Sequence, residues 1–239
     1  MGKAVHIDVR RSADRFVSRV EGVVSRHSFS FGPHYDPANT AFGCLIANND
    51  DLLSPGAGFP EHPHRDLEIV TWVLAGALSH SDSEGGSAEL RPGMVGRLST
   101  GSGVHHAEIN ASSGETHYVQ MWLLPDAEGS ASYDTADVSD ALGAGGFVVV
   151  ASGIPLAPVR LRRAGPTFLV ARIAAGTAAV MPGAPLLHLF VARGAVALDL
   201  DGTVALAEGD AVRLTETTPL QVEATADAEV LGWAMFATD

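Results

Sequence analysis

The chain has one cysteine in 239 residues. A single thiol excludes an internal disulfide framework and any multi-cysteine zinc site. Cys44 lies in the apolar run Ala41–Ala47, which predicts a buried, inert sulfur. Lysine occurs once, at Lys3, so fourteen of the fifteen cations are arginine. That bias, beside abundant Ala and Gly, reflects coding composition rather than function. Positive charge is scarce: 28 acids set the net charge at −13. A surface of that sign argues against nucleic acid or an anionic membrane as partner. No run of 18 apolar residues exists, so no helical membrane span is expected. The first residues lack an apolar stretch of signal-peptide length, and Met1-Gly2 is followed at position 6 by His6, not the Ser or Thr of a myristoylation signal. A cytoplasmic, monomeric protein is the expectation. Charged residues are only 18% against 46% hydrophobic, which supports a sizeable core and excludes disorder. The length suits one large domain or two of about 120 residues.

What is present is a series of short apolar or alternating runs separated by Gly, Pro, Asp and Ser. They are Leu67–Leu74, Val95–Leu98, Tyr118–Leu124, Phe147–Val150, Phe168–Ile173, Leu186–Val191, Ala195–Leu200 and Glu229–Phe236. Each has strand length, and the spacing predicts an all-β sandwich or barrel. Two short helices are expected, at Ser12–Val20 with Ser12 as cap and at Thr135–Leu142. Pro125–Gly146 is rich in Asp, Ser, Ala and Gly and reads as a linker. Division there gives residues 1–133 and 134–239. The halves share two short signatures. Val73-Leu-Ala-Gly76-Ala corresponds to Val191-Ala-Arg-Gly194-Ala, and Pro92-Gly93-Met-Val-Gly-Arg97-Leu98 to Glu208-Gly209-Asp-Ala-Val-Arg213-Leu214. The glycines are 17 residues apart in the first half and 15 in the second, which points to a duplicated β domain.

Ten histidines are unevenly placed, and only His188 follows position 117. In a strand, residues i and i+2 share a face. His62 and His64 therefore point together, with Glu68 beside them if the strand stays regular. In Gly101-Ser-Gly103-Val-His105-His106-Ala-Glu108, His106 and Glu108 share a face and His105 points away. If a barrel makes these segments neighbours, the inward set is His62, His64, His106 and Glu108. Three imidazoles and a carboxylate suit one divalent transition metal, and open positions beside them suit non-haem Fe(II). Manganese, nickel, cobalt, copper and zinc accept the same donors. A lone His-x-His on a solvated strand is commonplace; the two pairs together, flanking a glycine signature, carry the argument. His27, His34 and His117 are expected to satisfy loops or backbone, and His6, His80 and His188 show no chemical partner in sequence. The repeat acts as a control. Ungapped offsets place Val180, Pro182, Val222 and Ala224 where the first half has its four donors, so the second half is expected to be a duplicate without a metal.

These residues resemble the pirin family of the cupin superfamily. The likeness runs from Arg26 to Pro125, through Arg26-His-Ser-Phe-Ser-Phe31, Tyr35-Asp36-Pro37, Asn49-Asp-Asp51 and Gly58-Phe-Pro-Glu-His-Pro-His-Arg-Asp-Leu-Glu68. It continues with Thr71-Trp-Val-Leu-Ala-Gly76, His80-Ser-Asp-Ser83, Arg91-Pro-Gly93, Gly101-Ser-Gly-Val-His-His-Ala-Glu108 and Gln120-Met-Trp-Leu-Leu-Pro125. The resemblance implies a bicupin of two stacked jelly-roll barrels with metal in the N-terminal one alone, on His62, His64, His106 and Glu108. It also implies two rival functions. One is cleavage of a flavonol-like hydroxy-ketone such as quercetin by O2, for which Glu108 is the expected general base and regular strand alternation would supply apolar walls from Val70, Trp72, Leu74 and Met121. The other is a redox-sensing regulator whose metal tunes binding to a protein partner. A metal-free sugar or small-acid binder fits the intact donor set poorly.

Two other motifs fail on context. Gly101-Ser-Gly103 begins a dinucleotide fingerprint, but His106 stands at the third glycine. Asp199-Leu-Asp201-Gly202 imitates the end of a calcium loop, but Ala197 would open it; a hairpin turn at Asp201-Gly202 is the better reading.

Overall fold

The structure is a computed structural model that describes residues 5–126, 128–200 and 202–236. Met1-Gly2 and Asp201, on which two of the readings above fall, lie outside the described residues. Strand accounts for 59% and helix for 3%, so the fold is all-β, of the cupin type. In chain order the strands are β1 (His6–Arg10), β2 (Phe16–Val20), β3 (Val23–His27), β4 (Leu45–Leu53), β5 (Gly58–His64), β6 (Glu68–Ala75) and β7 (Leu78–Asp82). They continue as β8 (Ser87–Leu90), β9 (Met94–Ser99), β10 (Val104–Asn110), β11 (Thr116–Leu123), β12 (Ser132–Asp137) and β13 (Val148–Ser152). The last are β14 (Val159–Arg160), β15 (Thr167–Ile173), β16 (Ala178–Met181), β17 (Leu186–Asp199), β18 (Thr203–Ala207), β19 (Ala211–Thr215) and β20 (Leu220–Met235).

The chain forms two compact units. One comprises Phe16–Ser139 with Gly153–Ala164. It contains a seven-stranded sheet in the order β12-β9-β6-β11-β4-β3-β2 and a four-stranded sheet in the order β5-β10-β7-β8. Val23, Leu53, Val73 and Tyr118 from the first sheet and Leu78 and Leu90 from the second form one core cluster, so the sheets face each other. The other unit comprises the chain up to Arg15, Asp140–Ser152 and the chain from Gly165. There β1 pairs with β19, β19 with β17, β17 with β20 and β20 with β15. Its core includes Leu187, Leu189, Val191, Val212, Leu214, Val222 and Val230. The runs Leu186–Val191 and Ala195–Leu200 are two halves of the single strand β17, bent by irregular pairing with β20 around Arg193. The two signature glycines share a backbone conformation, Gly76 and Gly194 both having φ of 75°, although Gly76 turns the chain between β6 and β7 while Gly194 sits within β17 at its irregular pairing with β20.

Three local expectations are corrected. Ser12–Val20 is not a helix. Only Ser12–Asp14 winds, as a 3₁₀ turn, and Phe16–Val20 is strand β2, paired with β3. Thr135–Leu142 is helix only in its second half: Thr135 belongs to β12, and the α-helix α1 spans Ser139–Gly143, with the backbone N–H of Ser139 donating to Asp137. The linker reading of Pro125–Gly146 gives way to β12, paired in full register with β9. Its polar composition misled because it is an edge strand whose outer side meets water. Cys44 is buried, as expected, and burial pushes its thiol up, away from the reactive thiolate.

Candidate metal centre

The four-stranded sheet brings the histidines together. Strands β5 and β10 run antiparallel with His62 opposite His106 and His64 opposite Val104. A bulge between His106 and Glu108 then sets Glu108 opposite Phe59. Along β10, Val104, His106, Glu108 and Asn110 are buried while His105 is exposed, so inward and outward positions alternate. The His62, His64 and His106 rings lie 4.5–5.1 Å apart between centroids, and their ligand-capable nitrogens lie within 4.8 Å of one another. His62 Nδ1 is 2.8 Å from the carbonyl of Pro60 and donates to it, which leaves Nε2 with a free lone pair. Nε2 of His64 and both ring nitrogens of His106 are buried with no hydrogen-bond partner. Buried polar atoms are nearly always satisfied, so such a concentration in one cluster marks a ligand site. Burial, followed by neighbouring imidazoles, pushes His106 down to about 3 and His64 down to about 4. These rings stay neutral at physiological pH, the state a metal requires. The donor chemistry therefore fits a divalent transition ion.

Glu108 is buried, and burial pushes its carboxyl up to about 7 against hydrogen bonds from Gln120 and Thr71. The Gln120 amide nitrogen lies 2.9 and 2.7 Å from the two carboxylate oxygens. Trp122 Nε1 donates to the Gln120 carbonyl oxygen at 2.8 Å, which fixes the amide's orientation. Glu108 does not join the His62, His64 and His106 group; it belongs instead to a second donor group with His106 and His80, all three buried and with ligand atoms within 4.8 Å of one another. His80 faces Glu108 across β7 and β10. Its Nε2 is 3.1 Å from Asp82, and Tyr133 stacks on its ring at 3.7 Å. His80, Gln120 and Trp122 were not legible as site residues. The available signals were the i, i+2 spacing of His80 and Asp82 and the place of all three residues within stretches that carry the family resemblance.

Other expectations resolve by position. The run from β5 to β6 is broken by Asp66, with φ of 55°, so Glu68 does not share the histidine face. It accepts instead from Ser99 and from the backbone N–H of Arg162. His27 pairs with Asn49, His34 with Ser18 and His117 with Asp50. A cavity of about 200 Å³ opens on His62, His64 and Glu108, with Phe31, Phe59 and Trp122 as its aromatic walls. None of Val70, Trp72, Leu74 and Met121 lines it. On β11 it is Gln120 and Trp122 that face the cavity, so Met121, between them, points to the other side of the sheet. Val70 and Trp72 pair with Met121 and Val119 and share that outer side. The error is one residue of phase. Every residue from Glu68 to Leu74 is buried, so neither composition nor burial distinguishes the two faces.

In the second unit the corresponding strands are β16 and β20, with Ala179 opposite Val222 and Met181 opposite Leu220. The counterparts of His62 and His64 are thus Ala179 and Met181, one residue before the ungapped offsets; Val180 is exposed. Ala179, Met181, Val222 and Ala224 all belong to the apolar core. Among the described residues, donor groups of three or more occur only around His106.

The family model described as Pirin matches residues 9–123. A Mycobacterium tuberculosis protein named "Putative quercetin 2,3-dioxygenase" is 48% identical over 235 residues, covering 97% of this chain and 96% of that protein. A Zymomonas mobilis protein of the same name is 35% identical over 211 residues, covering 87% and 88%. The crystal structure of the bacterial pirin YhhW from Escherichia coli in complex with nickel(II) superimposes with a TM-score of 0.87 at 26% identity, covering 98% of this chain and all of that one.

Proposed function

Because this chain belongs to the pirin family, we propose that it is a metal-dependent dioxygenase that cleaves flavonols such as quercetin, with one divalent ion held by His62, His64, His106 and Glu108. Fe(II) is the ion of first choice; manganese, nickel, cobalt, copper and zinc accept the same donors. One observation carries the reading: neutral, unpartnered imidazole nitrogens converge beside a buried carboxylate at the wall of an aromatic-lined cavity. The names of the mycobacterial and Zymomonas relatives support the substrate class. In this reading residues 1–133 carry the site and, among the described residues, 134–239 hold no donor group.

The bound metal supplies Lewis acidity and a place where a hydroxy-ketone and O2 meet. The protein does the rest. His62 offers Nε2 because Pro60 holds its Nδ1. Glu108 takes the proton of the substrate hydroxyl as general base. Gln120 donates to both carboxylate oxygens, so the group that receives the proton has a fixed orientation. Phe31, Phe59 and Trp122 exclude water from the reacting end. A cavity of about 200 Å³ is below the ~300 Å³ at which pockets begin to enclose a whole ligand, so part of a flavonol stays outside.

The test is anaerobic metal analysis and reconstitution with iron, followed by a flavonol panel under air. Metal-dependent loss of the flavonol absorbance with matching O2 uptake is expected. No turnover by fully iron-loaded protein on any flavonol overturns the reading in favour of a metal-dependent regulator of a protein partner.

A further inference from the structure

The cavity contains a carboxyl group that metal binding does not use. Asp51, on β4, lines the cavity at 4% exposure. Its Oδ1 is buried with no hydrogen-bond partner, and Ser25 hydrogen-bonds the group. Apart from the metal donors, the other polar side chains around the cavity are engaged. Asn49 Oδ1 is 2.9 Å from His27, and Gln120 is held between Glu108 and Trp122.

Strand register gives the depth of each group. Trp122 lies against His64 at the metal cluster, with ring centroids 4.8 Å apart. One inward-facing step along β11 is Gln120, opposite Asn49 and bonded to Glu108. The next is Tyr118, opposite Asp51, which is itself opposite Ser25. Same-face positions are about 7 Å apart along a strand, so Asp51 lies roughly one such step beyond the Glu108 rung. The Tyr118 hydroxyl on that rung is also buried and unpartnered. The cavity therefore has donors for a hydroxy-ketone at one end, aromatic walls between, and an unsatisfied acceptor at the far end.

We propose that Asp51 is a specificity-determining residue: it accepts a hydrogen bond from a hydroxyl that the substrate carries one ring away from its hydroxy-ketone. This rests on the flavonol reading and deepens it, selecting polyhydroxylated flavonols. A desolvated acceptor left without its donor penalises the analogue that lacks the hydroxyl, which is how hydrogen-bonding sites discriminate more strongly than apolar ones.

The test compares quercetin with 3-hydroxyflavone, which keeps the hydroxy-ketone and lacks every other hydroxyl. Binding is read by calorimetry on zinc-loaded protein, where no redox turnover intervenes, and kcat/KM on iron-loaded protein. Wild type is expected to prefer quercetin by about 10- to 100-fold, chiefly in Kd and KM. In Asp51→Ala the preference collapses from both sides: quercetin binds more weakly, and 3-hydroxyflavone, no longer facing an unpaired carboxyl, binds more tightly. Equal binding of the two by wild type, a result that needs no variant to fold, overturns the assignment. So does an unchanged preference in Asp51→Ala, which would make the pocket merely water-filled. Binding of neither compound overturns the flavonol reading itself, and the assignment with it.

Discussion

At the residue scale, the site separates groups by the chemistry they can do. Glu108→Gln keeps the shape and an oxygen but cannot take a proton, and its amide meets the Gln120 amide that donates to the carboxylate. Turnover should fall about 10²- to 10⁴-fold while part of the metal is retained. Equal turnover at matched metal loading would exclude Glu108 as the base. His106 is shared by both donor groups, so His106→Ala should lose tight metal binding, as read by metal content after dialysis. His188 lies in the other unit and belongs to neither group; His188→Ala should keep the metal. Cys44→Ser should cost at most about 1–2 kcal/mol, from burying a hydroxyl where a thiol was, and leave metal content unchanged.

At the element scale, the site depends on how closely β5 lies against β10. A Cβ added at Gly58 would sit 2.1 Å from the Glu108 carbonyl oxygen and 2.8 Å from the Ile109 Cα. Both are backbone atoms, so the strand itself must move. Gly58→Ala should shift His62 and His64 away from His106 and lower metal affinity at least about tenfold, since metal ligation tolerates only a few tenths of an ångström. Gly114→Ala, which meets nothing within 4 Å, is the control and should change neither metal content nor melting temperature. Equal metal affinity in the two variants would show that the β5–β10 spacing does not set the site.

At the scale of the whole molecule, the duplication predicts one metal equivalent per chain, since the second unit fills the corresponding positions with Ala179, Met181, Val222 and Ala224. Two equivalents in wild type, measured by elemental analysis, would contradict this. The second unit also carries a pH liability. Burial, and then the charge of Arg213, pushes His188 down to about 3. Between that value and the ordinary 6.5, the unfolded chain binds a proton that the folded chain does not. Stability from this group is therefore full above pH 6.5 and is lost as the pH falls toward 3. Urea denaturation at pH 7 and pH 5 should show a smaller loss for His188→Gln than for wild type; parallel losses would remove His188 as the cause.

The sequence by itself determined what depends on period and local chemistry. Alternation put His62 with His64 and His106 with Glu108, and the glycines at 76 and 194 marked positions of the same backbone φ, because these signals lie within a few residues of each other. It did not determine phase where both faces of a strand are buried, as at Val70 and Met121, nor that Glu68 leaves the histidine face once Asp66 turns the chain. Only the tertiary structure placed β1 beside β19, brought His80 to Glu108, and set Gln120 and Asp51 at successive depths of one cavity. Each of those relations is a cross-strand register between segments distant in the chain, and register is decided by which strands pair, information that no single strand carries.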